Sequence, residues 1–290
     1  MNKPWASRPL ALGGAVLGIL AVATPAVQAD PVKVKLVKSA TVSVAGSPDS
    51  TFPFNNDQPS VSQFDCGKGY VPIAAGWKGT NTPTSGPGWF VGTKKDTTKY
   101  GYRLSIARGL APGSMQARTV CAKGPVKAVR KETAQGSVAR CGSKTALGYM
   151  NLVSVKQSAA VSSTPAGRTG WRQEGMASEY SNSAAVCVHK KAFKKVRSVT
   201  KSTSFTLGNR TATIVAKCPK GSRALAWGFS SPLMPANAWS GSGSIQSPFV
   251  ESAVPAKSKW TLTFSTPDLQ GAKEQAQVSA TAVCGQPRSR

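Results

Sequence analysis

The chain has 290 residues with 28 glycines and 20 prolines, and its 37 Lys and Arg against 11 Asp and Glu give a formal net charge of +26. So few acidic residues argue against a site built on paired carboxylates. The length allows one large domain or two or three small ones. Self-repulsion of this charge disfavours a compact state, and its field attracts polyanions.

The first part of the chain, residues 1–29, has the pattern of a secretion signal. Lys3 and Arg8 precede an apolar run over residues 10–23, and small residues at 27 and 29 form a cleavage pattern. An uncleaved membrane anchor or a buried helix is the alternative, but the run is shorter than the roughly 20 residues a bilayer span needs. We expect cleavage after Ala29, which lowers the net charge from +26 to +24. The mature chain is expected outside the cell or in the periplasm, without a transmembrane segment.

Beyond the signal, the chain has the pattern of short β-strands. Alternations of Val, Thr, Ser and apolar residues, as at 41–44 and 261–264, are bounded by Gly and Pro. No long stretch has apolar residues at helical spacing. The sequence therefore predicts an all-β protein.

The cysteines are even in number and all follow the signal. An even set in an exported protein favours three disulfides over metal ligands, and zinc spacing such as C-x-x-C is absent. We predict no metal and no cofactor. The six cysteines are Cys66, Cys121, Cys141, Cys187, Cys218 and Cys284.

The surroundings of the cysteines recur three times in the same order. A Val-basic phrase leads, a turn follows the first cysteine, a Gly-aromatic pair and a tryptophan come next, and a Val-Cys pair closes the unit. The Gly-aromatic pairs are Gly76 with Trp77, Gly148 with Tyr149 and Gly228 with Phe229, and the tryptophans are Trp89, Trp171 and Trp260.

This order predicts three degenerate β units, residues 30–125, 126–195 and 196–290, with one bridge in each. The predicted bridges are Cys66 to Cys121, Cys141 to Cys187 and Cys218 to Cys284. Each should contribute about 4 kcal/mol in the chain-entropy model.

The units could pack around a pseudo-threefold axis or hang as separate beads. The linkers 122–140 and 188–217 alternate Val with basic residues and lack spacer sequence. They are typical of strands, so we favour one domain in which the three stapled units pack with pseudo-threefold symmetry.

The landmarks Cys-x-x-Gly, Gly-aromatic, Trp and Val-Cys resemble the repeats of vitelline-membrane outer-layer proteins, and also cysteine-paired repeats of exported bacterial proteins. The resemblance covers about residues 34–286 and implies a β-prism. The acidic, Asn-containing stretch expected before the closing cysteine is missing, apart from Glu179 and Asn182. No functional residue is therefore carried over.

The candidate binding residues are mainly basic. The densest charge run lies at 190–197, and matching positions in the second unit are also basic. These residues could contact phosphates, carboxylates or sulfates, or they could protect an exposed strand edge from aggregation. The charge exceeds what solubility needs, which favours binding. The candidates are Lys190, Lys191, Lys194, Lys195, Arg197, Lys127, Arg130 and Lys131, with Lys33, Lys35 and Lys38 in the first unit.

Tryptophan and histidine are two further candidate contact residues. The tryptophans could stack on sugars or bases, but those that recur are expected in the core. Trp239 matches nothing in the other units and lies in a Pro/Asn/Ser/Gly loop, so it is the candidate exposed contact. His189, the one histidine, has no nucleophile motif around it and is expected to be solvated.

Three functions remain open from the sequence. The favoured one is non-enzymatic binding of anionic polysaccharide, an envelope polymer such as lipopolysaccharide, or extracellular DNA. A second is a structural envelope or matrix protein without a ligand pocket. A third is an enzyme or toxin, which would be favoured if Asp65, Asp96, Glu174, Glu179 and Glu251 came together in space.

Overall fold

The structure is a computed structural model that describes residues 31–44, 60–80, 91–95, 101–106, 113–134, 136–148, 160–175, 183–206, 211–231, 248–265 and 275–288. Within these ranges the chain forms 18 β-strands and no helix, which confirms the all-β class. None of these residues therefore belongs to a helix that could cross a membrane. The signal prediction for 1–29 and the candidates Trp89 and Trp239 lie outside the described residues.

The strands fall into three chain segments of six, each containing the cysteines of one bridge. The first segment has β1 (Lys33–Val44), β2 (Ser60–Asp65), β3 (Tyr70–Thr80), β4 (Val91–Lys95), β5 (Gly101–Ile106) and β6 (Gly113–Lys123). The second has β7 (Val129–Thr133), β8 (Val138–Arg140), β9 (Thr145–Gly148), β10 (Ala160–Pro165), β11 (Gly170–Gly175) and β12 (Ser183–Val188). The third has β13 (Phe193–Thr206), β14 (Thr211–Lys217), β15 (Arg223–Ser230), β16 (Phe249–Ala256), β17 (Lys259–Ser265) and β18 (Gln275–Pro287). The linkers at 122–140 and 188–217 contain strands, as their alternation predicts.

Strand pairing follows one scheme in all three segments. The sixth strand lies between the first and the third, and the fifth lies between the fourth and the second. Two six-stranded sheets join segments, in the orders β1-β6-β3-β16-β17-β14 and β13-β18-β15-β10-β11-β8. Two three-stranded sheets complete the set, β7-β12-β9 and β2-β5-β4. Strands of different segments therefore pair within the two larger sheets, β3 with β16 and β15 with β10, so the segments are not separate beads.

The disulfides connect the cysteines that the order of landmarks predicts. Cys66 bonds to Cys121, Cys141 to Cys187 and Cys218 to Cys284, and each bridge stays within its segment. The second cysteine always lies in the sixth strand, at the centre of a three-strand group. Each bridge therefore anchors the turn after the second strand to the strand on which the first and third strands pair.

An aromatic cluster joins the first and third segments in the core. The Trp227 ring lies 5.5 Å from that of Trp77 and 5.9 Å from that of Trp260, measured between centroids. The Trp77 indole N–H donates to the carbonyl of Glu251 at 2.6 Å, and that of Trp227 donates to the carbonyl of Ala75 at 2.7 Å. Trp171 and Trp260 are fully buried, as predicted for the recurring tryptophans.

The glycine of each Gly-aromatic pair lies against a recurring tryptophan. A Cβ on Gly76 would lie 2.7 Å from Cζ3 of Trp260, and one on Gly228 would lie 3.1 Å from Cζ2 of Trp171. A Cβ on Gly148 would overlap the Trp171 ring. The Gly-aromatic landmark and the tryptophan landmark thus pack against each other. At Gly76 and Gly228 this contact joins two different segments.

We predict that Gly76→Ala lowers the free energy of unfolding by about 1–3 kcal/mol, because the added methyl would overlap the backbone carbonyl of Ala253 and crowd the Trp260 ring. Urea unfolding measures this loss. Gly142→Ala is the control, since φ at Gly142 is +61° and no atom lies within 4 Å of the added Cβ. This variant should lose only the stability that an alanine costs in a left-handed backbone conformation. If Gly142→Ala lowered the free energy of unfolding as much as Gly76→Ala does, the close packing around Gly76 would not explain the loss.

Candidate anion-binding end

The leading strands β1, β7 and β13 are edge strands of their sheets. Each pairs only with the sixth strand of its own segment within the described ladders. Their lysines are exposed, as lysines that guard an edge should be. The Arg130 side chain lies outside the described residues, although its backbone belongs to β7. The exposed predicted residues on these strands are Lys33, Lys35, Lys38, Lys131, Lys194, Lys195 and Arg197.

The register places a lysine at the same height in all three segments. Lys33 is opposite Lys123 and Lys194 is opposite Gln286, and each partner lies two residues beyond a closing cysteine. Lys127 lies two residues before Val129, which is opposite the closing Cys187. These lysines therefore lie at or just before the start of the leading strands.

Backbone hydrogen bonds bring these strand ends together. The His189 N–H donates to Val126 O at 3.1 Å, the Arg288 N–H to Ala192 O at 3.4 Å and the Val32 N–H to Arg288 O at 3.2 Å. Val126 and Ala192 are fully buried at this junction. The places where the chain enters and leaves its segments therefore lie side by side.

We call the exposed cations around this junction the basic end. The stretches 31–36, 121–130, 187–197 and 284–288 that form it contain no Asp or Glu. The structure thus gathers most of the predicted binding residues, while Lys131 and Arg197 lie further along their strands. The basic end consists of Lys33, Lys123, Lys127, Lys190, Lys191, Lys194, Lys195 and Arg288.

His189 shapes the turn that displays two of these lysines. Its Nδ1 accepts the backbone N–H of Lys191 at 3.2 Å, and its carbonyl accepts the N–H of Ala192 at 2.8 Å. The side chain is half-buried, not fully solvated as the sequence suggested. The contacts give His189 a role in turn geometry.

Two lysines of this region adopt left-handed backbone conformations. They are Lys127, with φ 41°, and Lys195, with φ 49°, and no other non-glycine residue among those described has positive φ. Lys195 lies where the register shifts between Lys194 and Arg197. Such a bulge changes the direction of the side chains around it. It is a local feature that the residue pattern does not reveal.

An aromatic ring lies within the lysines of the first segment. The Nζ of Lys35 lies 4.1 Å from the centroid of the Tyr70 ring, and that of Lys123 lies 5.8 Å from it. A cation over a tyrosine face is attracted by the ring quadrupole. Sequence reasoning missed Tyr70, because only the register of β1, β6 and β3 brings these residues together.

The cross-strand pairs do not neutralise this charge. Lys33 faces Lys123, Lys38 faces Arg118, and Lys217 faces Lys259. In the described ladders no acidic residue is opposite a basic one. Like charges directly opposite destabilise a sheet by roughly 0.2–1 kcal/mol. The fold therefore keeps cations adjacent that an external anion could neutralise.

The acidic residues that would favour an enzyme are only partly described. Asp96 and Glu179 lie outside the described residues, as does the Asp65 side chain. Glu174 lies in β11 of one six-stranded sheet and Glu251 in β16 of the other. The Glu174 carboxylate is 3.7 Å from Arg172 Nη1 and accepts a hydrogen bond from Ser162 at 3.4 Å.

The comparisons with known proteins add no relative. No protein-family model matches the chain, and no curated protein matches it significantly. The functional inference consequently depends on the residues and their geometry.

We predict that Lys217→Glu raises the free energy of unfolding by about 0.5 kcal/mol more than Lys201→Glu does in low salt. Both changes lower the net charge equally, but only Lys217 has a cation opposite, since Lys201 faces Ala280. Urea unfolding at low and high salt measures the difference, which should shrink as salt screens the pair. Identical stabilisation by the two variants would show that the like-charge pair has no local effect.

Proposed function

We propose that the protein is exported after cleavage at Ala29 and binds anionic polymers outside the cell without catalysing a reaction. The polymers would be an envelope polysaccharide, lipopolysaccharide or extracellular nucleic acid. The observation that supports this most is the basic end, where eight exposed cations surround a junction formed by stretches without acidic residues. Three disulfides fit an oxidising compartment of this kind.

The mechanism would be multipoint ion pairing. Each lysine that contacts a phosphate, sulfate or carboxylate releases counterions, so affinity would fall steeply with salt. Lysine is a compact, strongly hydrated point charge, which suits sequence-independent contact with many anionic groups. No base-specific recognition is expected.

The matching lysines also support a proposal about the arrangement of the segments. We propose that the segments are three copies of one unit closed around a pseudo-threefold axis, as in the β-prism implied by the vitelline-membrane resemblance. The third strand of one segment pairs with the fourth strand of another in β3 with β16 and in β15 with β10. Closure would add the equivalent pair, β9 with β4. It would also place Lys33, Lys127 and Lys194 around one axis.

Hydrogen exchange tests the closure. β9 pairs with β12 along one side, and on the other side the Ala146 N–H already donates to the carbonyl of Arg168. We predict that the Gly148 N–H, which alternation places on the same outward side as that of Ala146, is protected as well, because closure would pair it with β4. Rapid exchange of the Gly148 amide at native pH would contradict a closed third junction.

Column retention tests the binding function. We predict that the triple variant Lys33→Gln, Lys127→Gln and Lys194→Gln elutes from heparin and from DNA at lower salt than the wild type. In a plot of the logarithm of DNA affinity against the logarithm of salt concentration, the slope should become shallower by up to about 3, since each phosphate contact contributes roughly 0.9.

A charge-matched triple variant provides the control. Lys38→Gln, Lys78→Gln and Lys201→Gln removes the same charge at exposed positions away from the basic end. It should elute close to the wild type. Equal shifts in both triples would favour a structural protein held by its overall charge, and absence of retention in dilute buffer would end the binding proposal.

A further inference from the structure

A second basic feature lies between the second and third segments, next to the basic end, since Arg197 follows Lys194 and Lys195 in β13. A cavity of about 300 Å³ opens between the turn that joins β10 to β11 and the edge strand β13. Arg168 of the turn and Arg197 of β13 line it together with Ser198, and none of the described lining residues is acidic. Pro165, Val196 and Val283 form an apolar wall. The cavity thus combines two arginines, both with exposed side chains, with a surface that is not charged.

The turn that carries Arg168 is held on both sides. The Ala146 N–H donates to the carbonyl of Arg168 at 3.0 Å, and the Cys141 N–H donates to that of Thr169 at 2.8 Å. Across the turn, the Ala166 N–H donates to the carbonyl of Gly170 at 3.0 Å. Since Cys141 is also bridged to Cys187, the backbone of Arg168 is anchored to the disulfide framework.

Arg197 is anchored in a similar way on the opposite wall. It is opposite Cys284 in the β13–β18 register and directly follows the bulge at Lys195. Val196 packs against the hydrophobic core, and Cys284 is bridged to Cys218. Both arginines therefore project from backbone that is already fixed, so ordering of the backbone adds little to the entropic cost of binding.

The corresponding residues of the other segments are different. The residue opposite the closing cysteine is Lys35 in the first segment and Val129 in the second. The Lys35 ammonium lies over Tyr70, and Val129 has no charge. An arginine at this position, lining a cavity together with a second arginine, belongs to the third segment alone.

We propose that this cavity binds one phosphate or sulfate monoester carried on a sugar or polyol. Guanidinium groups present forked N–H donors that match the oxygens of such anions bidentately. The apolar wall would pack against the carbon-bearing face of the ring or polyol. About 300 Å³ is the lower end of the usual size for small-ligand sites. This rests on the proposed function and names the unit of the polymer that would be recognised individually.

The test is titration of the whole protein by nuclear magnetic resonance, following the amides of residues 167–169 and 196–198. The probes are a hexose 6-phosphate, glycerol 3-phosphate, inorganic phosphate and the neutral hexose. We expect saturable shifts at these amides with a hexose 6-phosphate or glycerol 3-phosphate, and none with the neutral sugar. Tighter binding of one ester assigns the source as glycan or polyol phosphate.

The deciding variant is the double substitution Arg168→Lys and Arg197→Lys, which keeps the charge but removes the forked donors. It should weaken ester binding at least tenfold. The double variants Arg168→Gln with Arg197→Gln and Lys201→Gln with Lys220→Gln carry equal charge, and only the first should lose binding. Lys201 and Lys220 are exposed and do not line the cavity.

Several results would overturn the site. Unchanged affinity in the Arg-to-Lys variant, equal losses in the two Gln variants, or inorganic phosphate binding as tightly as both esters would each contradict it. Heparin retention separates this from the broader function: a wild type that stays retained while ester binding fails refutes the cavity alone. Loss of retention as well refutes both.

Discussion

The fold depends above all on the three closing strands, β6, β12 and β18. Each has a leading strand on one side and the strand after the first cysteine on the other, and each holds the second half of a disulfide. Repulsion among the cations acts to separate the leading strands from this ladder. The bridges do not hold the leading strands directly, but they fix the strand on which those edges pair. Covalent closure of this kind limits the unfolded chain and stabilises the folded state by several kcal/mol per loop.

Apolar packing between segments supplies the second constraint. Gly76 leaves room for Trp260 and Gly228 leaves room for Trp171, so a strand of one segment lies directly on a tryptophan of another. The Trp77 and Trp227 indoles add hydrogen bonds across the first and third segments. These contacts are buried and insensitive to salt, whereas the repulsion on the surface is screened by it. Moderate salt should therefore favour the folded state, and a bound polyanion should do so more strongly because it binds the folded arrangement of cations.

The sequence predicted those features that show in the order of residues along the chain. The cysteine partners followed from landmarks in a fixed order, and the burial of Trp171 and Trp260 followed from their recurrence. The strands within the linkers followed from alternation. The pairing of strands from different segments could not be predicted, because β3 and β16 are far apart in the chain and no local sequence signal places them side by side.

The candidate site shows the same division. Charge density and matching position predicted Lys33, Lys127 and the four lysines between 190 and 195, but not Lys123 or Arg288. Tyr70, the bulge at Lys195 and the cavity that Arg168 and Arg197 share were not predicted, because each depends on strand register or on a turn docking against another segment. Arg168 in particular lies outside the dense charge runs, with Arg172 as the nearest cation in the sequence.

Edge protection and anion binding make different demands on lysine, and the structure allows them to be separated. A lysine that only guards an edge needs an outward position along a strand that lacks a neighbour. Lys38 and Lys201 satisfy that demand. It does not require cations on turns, yet Lys190 and Lys191 lie on the turn shaped by His189. Nor does it require Lys123 and Lys259, which lie on strands paired on both sides and face other lysines. These residues add repulsion where no edge needs guarding, so their presence is explained better by an external anion than by protection of the sheet.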